Sequence, residues 1–357
     1  MTADTAARVR VSPAKLTDLV TKIFVYLKLP EPDARVVADA LVDADLRGHE
    51  SHGVSNYIKF IYYPGLTEGL INPRPNIRIE HETPTTARWN ADGAMGHVSS
   101  DVAMRDAIER AGKYGSGFTV VSNSRHYGMA QHYAVMALEH DMIGFSMTNS
   151  GVLATPFQGM EAKLGTNPIA VAIPAGEEPP FVLDMATTTV AWGKIMNASR
   201  DGQSIPTSWS YDKTGVATTD PDAAMDARLM LPLGGSKDGS AHKGYGLATW
   251  VEIFCGVLSG TGFGMQLGRD NVGHFFGAWQ IEAFMPKAEF KSMMDDLLRD
   301  LKSTKPAPGF DRVLVAGIPE WETMNDRKAN GIPLHPTVID TLRDYADEVG
   351  AAFDLGM

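Results

Sequence analysis

Arg47-Gly48-His49-Glu50-Ser51-His52-Gly53 gathers two imidazoles, a carboxylate, a hydroxyl and two glycines into one short stretch. A metal site, a proton-transfer site and a polar helix end compete for it. A zinc-protease helix spaces its histidines four apart with the glutamate as base. Here His49 and His52 stand three apart, and a turn interrupts them. No cysteine cluster or acidic ligand box lies nearby, so no metal is expected. A metal-dependent hydrolase or lyase on His49, Glu50 and His52 is the rival reading from a different class. His49 is expected to satisfy backbone groups at a helix end. His52 differs, because a hydroxyl precedes it and a glycine follows. Its ring is accessible, Ser51 is able to orient it, and an ordinary imidazole pKa of about 6.5 suits proton transfer at neutral pH.

A second set, Arg125-His126-Tyr127-Gly128 with His132 beyond it, follows the strand-like GFTVVSN. Residues just past a strand's C-terminal end face the crevice where α/β proteins bind ligands. His126 therefore reads either as a functional group or as a strand-end polar residue, whereas His132 falls inside a helix. The third set is LGTNP at 164–168, then FVLDMATTT and Gly193-Lys194. Asn and Thr in tight turns usually cap their own backbone. Yet Asp184 at a strand end, three consecutive threonines and Lys194 make a polar pocket wall, although Lys194 reads equally as a solvated helix cation. GTGFG at 260–264 has Met265 where a dinucleotide fingerprint needs its third glycine, and no phosphate-loop motif occurs. A dinucleotide, if used, is not held by the Rossmann fingerprint.

The elements that must position these groups begin with helices. Ser12-Pro13 opens one that carries Leu16, Leu19, Val20, Ile23, Phe24 and Leu27 at helical spacing. A second starts near Pro32 and runs out at Gly48. A third, on Val54, Tyr57, Ile58 and Ile61, puts Ser51 and His52 near its N-terminal end, which favours an anion. From about residue 75 strands and helices alternate: NIRIEH, TARWN, then helical SSDVAMRDAIERAGKYG, strand GFTVVSN, helical HYAVMALEHD and strand IGFSMTNS. That order indicates an α/β domain. After a loop-rich stretch at 151–240, KGYGLATWVEIFCGVLSG reads as a long helix, HFFGAWQIEAF as a strand, and AEFKSMMDDLLRDLKS and HPTVIDTLRDYADEVG as helices. MTADTAARVRVS reads as a loose lead-in without an apolar signal region.

With 357 residues, 44% hydrophobic and 21% charged, the chain is long enough for two or more structural units. Against 43 acidic residues it has 32 basic ones, and the net charge of -11 opposes phosphate-backbone binding. No nucleic-acid or membrane partner is expected. The single Cys255, in an apolar run, reads as a buried hydrophobe and agrees with a reducing, cytoplasmic setting.

In order, the chain carries LRGHESHGV, RHYG, LGTNPIA, LDMATT, WGK, IPTSWSYDKTGVATTDP and HKGYGL. This ordered set resembles the malate/L-lactate dehydrogenase family, unrelated to the Rossmann lactate dehydrogenases, from about residue 13 to the C-terminus. The resemblance implies a mixed-sheet, non-Rossmann, L-sulfolactate-dehydrogenase-like α/β fold with a helical N-terminal segment and a separate cofactor-binding domain. The expected division is 1–75 (helical, contributing to the active site), 76–125 (first part of the α/β core), 126–310 (cofactor-binding) and 311–357 (returning to the core). It further implies a homodimer and the reversible reduction of a 2-oxo acid of the malate/oxaloacetate or lactate/pyruvate type. A cyclic imino acid or keto sugar acid is the alternative. The cofactor is NAD or NADP, with NAD the expectation.

His52, supported by Ser51, inherits the role of proton donor, and His126 is its rival as well as a cofactor contact. Asp184, Met185, Ala186, Thr187, His242, Lys243, Gly317, Ile318 and Pro319 match other cofactor-contacting positions. Asn56, Lys59, Ser150, Thr166 and Lys194 are the substrate-binding candidates. Many members have an arginine where this chain has Asn56, and Lys59, one turn on, is the expected replacement. The imino-acid reductase branch has an aspartate at the place of Lys194, so the oxo-acid branch is expected. AGIPEWE also departs from the usual form of the cofactor turn.

Overall fold

The helical period of the N-terminal segment is realised in α1 (Pro13–Tyr26), which buries Leu16, Leu19, Val20, Ile23 and Phe24 with Pro13 in its first turn. The computed structural model describes residues 8–55, 57–200, 202–268 and 271–357. Helix α2 (Glu31–Leu46) packs on α1 through Ala34, Val37, Ala38, Leu41 and Val42. The expected third helix is split. Ile58–Tyr62 forms a π turn that runs into α3 (Tyr63–Thr67). A π turn carries one extra residue per turn and is frequent at functional sites.

The lead-in reading is corrected for its described part, because Val9–Val11 is a strand, β1, paired antiparallel with Ile332–Leu334 near the other end of the chain. Three residues are too few to show an alternating pattern. The pairing ties both chain ends into one helical core, where Ile332, Leu334, Ile339, Leu342 and Ala346 join α1 and α2.

The α/β alternation builds a mixed sheet from β2 (Arg78–Glu82), β3 (Thr86–Asn90), β4 (Ser116–Ser124), β5 (Met142–Thr148), β6 (Ile169–Ile173) and β7 (Phe181–Met185), later joined by β10. Between them lie α4 (Gly96–Tyr114) and α5 (Ala130–Ala134), the latter continued to His140 as a 3-10 turn. The loop-rich stretch contains α6 (Trp192–Arg200), the short ladder of β8 (Ser210–Tyr211) with β9 (Leu229–Met230), and α7 (Pro221–Ala227). Then follow α8 (His242–Glu252), extended by a π turn, β10 (Val272–Gln280), α9 (Lys287–Ser303), α10 (Ile318–Asn330), β11 (Ile332–Leu334) and α11 (Pro336–Val349).

The strand order across the sheet is β2-β3-β4-β10-β5-β6-β7. Among the described strands of this sheet, β3 and β4 are the parallel pair, joined by the α4 crossover. Parallel neighbours need such a crossover, whereas antiparallel ones do not. β10 lies between β4 and β5 and is buried over VGHFFGA, so the sheet draws its strands from between residues 78 and 280. Among the described residues no helix is long and apolar enough to cross a membrane.

Candidate active site

Helix α2 stops at Arg47, Gly48 turns the chain at φ +88°, and residues 48–54 fold back over the helix end. The main chain of His49 closes the helix, its N–H donating to Ala44 O at 2.8 Å. The ring does not serve that purpose, because its Nε2 is buried without a hydrogen-bond partner, 3.9 Å from Glu320 Oε1. Ser51 Oγ lies 2.9 Å from Nδ1 of His52, as the adjacency suggested. Burial first, and the neighbouring His49 second, push the His52 pKa down to about 4. At neutral pH the ring is therefore uncharged in the free protein.

His126, two residues past the end of β4, stacks near His52 with ring centres 6.0 Å apart and planes 22° from parallel. The two histidines that compete for one role are thus neighbours. Tyr57 sets its ring edge-on to both, at 5.3 Å and 4.5 Å. Tyr62, wholly buried, places its hydroxyl 2.7 Å from His126 Nδ1, and the Gly128 N–H points at the same nitrogen from 3.3 Å. A backbone N–H only donates, so Nδ1 accepts and the ring proton sits on Nε2. Burial raises the Tyr62 pKa well above its ordinary value and keeps that hydroxyl a donor too. His126 itself is driven to about 3, by burial first and then by His52 and His274. It is a neutral ring with a fixed donor. Tyr57 entered the sequence reading only as a position of the third helix, and Tyr62 was not singled out.

The polar wall assembles around the end of β7. Asp184 accepts from the Gln131 N–H at 2.9 Å, at the start of α5. Burial raises its pKa, with that N–H working against the rise. Thr187, fully buried, donates from N and Oγ1 to Thr166 O, and the Thr166 N–H donates to Ser150 Oγ at 3.0 Å. Beneath LGTNP lies a network the sequence did not reveal. The buried Glu252 accepts from Asn167 at 2.7 Å, Asn149 at 3.1 Å and the Gly264 N–H at 3.1 Å. This carboxylate anchors both the Ser150 loop and the Thr166 turn.

Two further segments reach the imidazole loop. Gly193 faces Ser51, whose Cβ lies 3.6 Å from where a side chain at 193 would begin. Gly317, at φ +93°, sits directly on β7, where a Cβ would come within 2.9 Å of Val182. Helix α10 then carries Pro319 and Glu320 toward His49. Asp184–Thr187, the 317–319 turn and the RGHESHG loop therefore converge. Met185 and Ala186 are half-buried within the first of these.

Other candidates stand outward in the single chain. Lys194 on α6 and His242 and Lys243 at the start of α8 are exposed, with the His242 ring 6.0 Å from Phe157. Lys59 is exposed with its ammonium 5.7 Å from the Phe60 ring centre. Asn56 lies outside the described residues. His132 lies in α5, with its Nδ1 2.9 Å from Asp43 Oδ2. Cys255 is buried and free. Among the described residues, no three His, Cys, Asp or Glu side chains are grouped to hold a metal ion. A cavity of about 520 Å³ lies elsewhere, lined by Glu82, Asp106, Arg110 and Tyr114, and Arg110 there is already paired with both acids.

The sequence profile of the malate/L-lactate dehydrogenases matches residues 11–343. A malate dehydrogenase of Pyrococcus abyssi is 41% identical over 348 residues, covering 96% of this chain and 95% of its own. The structure of malate dehydrogenase from Entamoeba histolytica superposes with a TM-score of 0.93 at 33% identity, covering 97% of this chain and 99% of that one. Sulfolactate dehydrogenase from Methanocaldococcus jannaschii superposes at 0.87 with 36% identity, covering 96% and 98%. The mixed-sheet α/β fold expected from the motifs is the fold these structures share.

Proposed function

Because the chain belongs to the malate/L-lactate dehydrogenase family, and is therefore an oxidoreductase of 2-hydroxy acids, we propose that it interconverts malate and oxaloacetate with a nicotinamide dinucleotide, His52 giving its proton to the carbonyl oxygen. The observation that carries this reading is the imidazole pair. Two rings lie 6.0 Å apart, one anchored by Ser51 and the other locked with its proton on Nε2. The malate preference is supported by the 41% identical malate dehydrogenase and by the sulfolactate dehydrogenase, whose substrates both carry a second anionic group.

The residues at hand suit a dinucleotide. Asp184 and Thr187 offer polar groups at a strand end, and the 317–319 turn has a glycine where any side chain would collide with β7. Asp184–Thr187, Gly317–Pro319, His126, His242 and Lys243 are the proposed holders. A dinucleotide held by these residues would supply the hydride for reduction of the carbonyl carbon.

The chain's own groups manage the charge that follows. As negative charge grows on the oxygen, a preorganised donor stabilises it without solvent reorganisation. His126 Nε2–H is such a donor, and with its pKa near 3 the ring stays neutral at neutral pH, Nδ1 remaining an acceptor. His52, once protonated, donates Nδ1–H to Ser51 Oγ and delivers the proton on Nε2, ending as the neutral ring favoured by its surroundings. Ser150, Thr166 and Lys194, with Asn56 and Lys59 on the segment after the loop, are the proposed receivers of the carboxylates. Such receivers fix which face of the carbonyl is presented.

In this reading 1–75 supplies the acid, and 126–310 together with the 317–319 turn the dinucleotide wall. The chain pairs with a second copy, supported by the exposed Ile253, Val257, Leu258, Phe263 and Met265. Its buried, solitary cysteine accords with the cytoplasm. The test is to mix the protein with NADH or NADPH and oxaloacetate, pyruvate or 3-sulfopyruvate. Loss of the reduced-nicotinamide absorbance, fastest with oxaloacetate, is expected. No loss with any acid would overturn the proposal.

A further inference from the structure

Asp45, in the last turn of α2, is 0% exposed, and it grips the imidazole loop at both ends. Its main-chain oxygen accepts from the Gly48 N–H at 3.2 Å, where the loop begins, and from Arg327 Nη1 at 2.5 Å. Its side-chain Oδ2 accepts from the Val54 N–H at 2.9 Å, where the loop ends. The other oxygen, Oδ1, has no hydrogen-bond partner. It lies against Gly53, and a Cβ built there would overlap the carboxyl group outright. The carboxyl thus fills the volume that a side chain at 53 would take, directly beneath the residue that follows His52. Arg327 reaches on to Glu50 from the far side at 3.4 Å.

A buried carboxyl with an unsatisfied oxygen is expensive, and an apolar side chain of similar size would cost less. Burial raises its pKa to about 7, a further sign of that cost. Such a group persists where its geometry is needed. Dispensable buried polarity is not expected at the foot of a loop whose outer face carries the reacting imidazole.

We propose that Asp45 is a positioning residue for the proton donor: by holding Val54 and occupying the space beside Gly53 it sets the height of the Ser51-His52-Gly53 turn, and so aims the His52 ring. The proposal rests on His52 being that donor. Displacing a reacting group by about an ångström costs on the order of 100-fold in rate.

The test is a set of variants assayed for oxaloacetate reduction: Asp45→Ala, Asp45→Asn, Gly53→Ala and the double variant Asp45→Ala with Gly53→Ala. Asp45→Ala should lower kcat by about 10- to 100-fold while KM for the reduced dinucleotide stays within about twofold. Asp45→Asn, which keeps an acceptor for Val54, should recover most of that loss. Gly53→Ala alone should be impaired, and adding Asp45→Ala should improve it, because the smaller side chain vacates the space the new methyl needs. If Asp45→Ala does not fold, Asp45→Ser carries the same comparison. Equal rates in Asp45→Ala and the parent, no rescue by Asn, or strictly additive losses in the double variant would each overturn the proposal. His52→Gln is run alongside. If it turns over normally, the donor assignment itself fails; if it is inactive while Asp45→Ala is unimpaired, only the positioning role fails.

Discussion

A donor that rests neutral must acquire its proton before it can give it away, and the substrate is the natural source of the change. In the free protein His52 has a pKa of about 4. An oxo acid bound beside the His52–His126 pair brings its carboxylate to about 6 Å from the His52 ring. At that separation and an effective dielectric constant of about 20, the attraction for an imidazolium is about 3 kcal/mol, equivalent to about two pKa units. The pKa in the complex should therefore stand near 6. Because kcat/KM reports the free enzyme and kcat the complex, the two should separate. Initial rates of oxaloacetate reduction are measured across pH 5 to 9. Above about pH 6 both parameters should fall tenfold per pH unit; below it kcat should level off while kcat/KM continues to climb. His49→Gln, which removes the neighbour whose electrostatic influence lowers the His52 pKa, should move the kcat/KM limb toward higher pH. Coincident limbs, or a flat kcat/KM, would refute the linkage between substrate charge and the His52 proton.

Acid stability gives a second expectation. His52, His126 and His274 have folded pKa values of about 4, 3 and 3, all below the ordinary imidazole, so their stabilising contribution is complete above about pH 6.5. Each loses about 1.4 kcal/mol per pH unit as pH falls from there toward its folded value. Asp45, raised to about 7, acts oppositely and gains stability as pH falls from 7 toward the ordinary carboxylate range. These three against Asp45 leave a loss of about 3 kcal/mol per pH unit, to which His97, lowered by burial, adds and against which Asp184, raised by burial, works, so Tm should drop steeply between pH 6.5 and 5; a flat Tm would contradict it. Gly317→Ala forces a side chain into a φ of +93° against Val182, and should weaken reduced-dinucleotide binding about tenfold, read by fluorescence titration; unchanged affinity would detach that turn from the cofactor. Tyr62→Phe removes one donor to His126 Nδ1 and should lower kcat about tenfold with a mixed tautomer by ¹⁵N NMR; an unaltered tautomer and kcat would show the Gly128 N–H sufficient alone.

Ordered motifs and periodic apolar residues made much of the fold legible. The helices on Leu16–Phe24 and Val37–Leu41, and the strands GFTVVSN and IGFSMT, are where their spacing put them. Strand β1 was hidden because three residues carry no pattern, and α10 because none of its residues is buried, so it has no apolar stripe to read. The central place of β10 was hidden as well, since an apolar run does not say which strands it separates. At the site, Ser51, His52 and His126 announced themselves by residue type. Tyr62 and Asp45 did not. A tyrosine and an aspartate at helical spacing look like core filler and a solvated charge, and only the chain's return brings one onto His126 and the other under Gly53.

The central claim is that His52 gives the proton, and single-turnover mixing tests it most directly. Protein loaded with reduced dinucleotide is mixed with oxaloacetate, in His52→Gln, in His126→Asn and in the parent, with the dinucleotide dissociation constant measured for each. His52→Gln should slow absorbance loss by about 100- to 10,000-fold with that constant within a few-fold of the parent. A parent-like rate in His52→Gln, with His126→Asn inactive, would contradict the account and hand the role to His126.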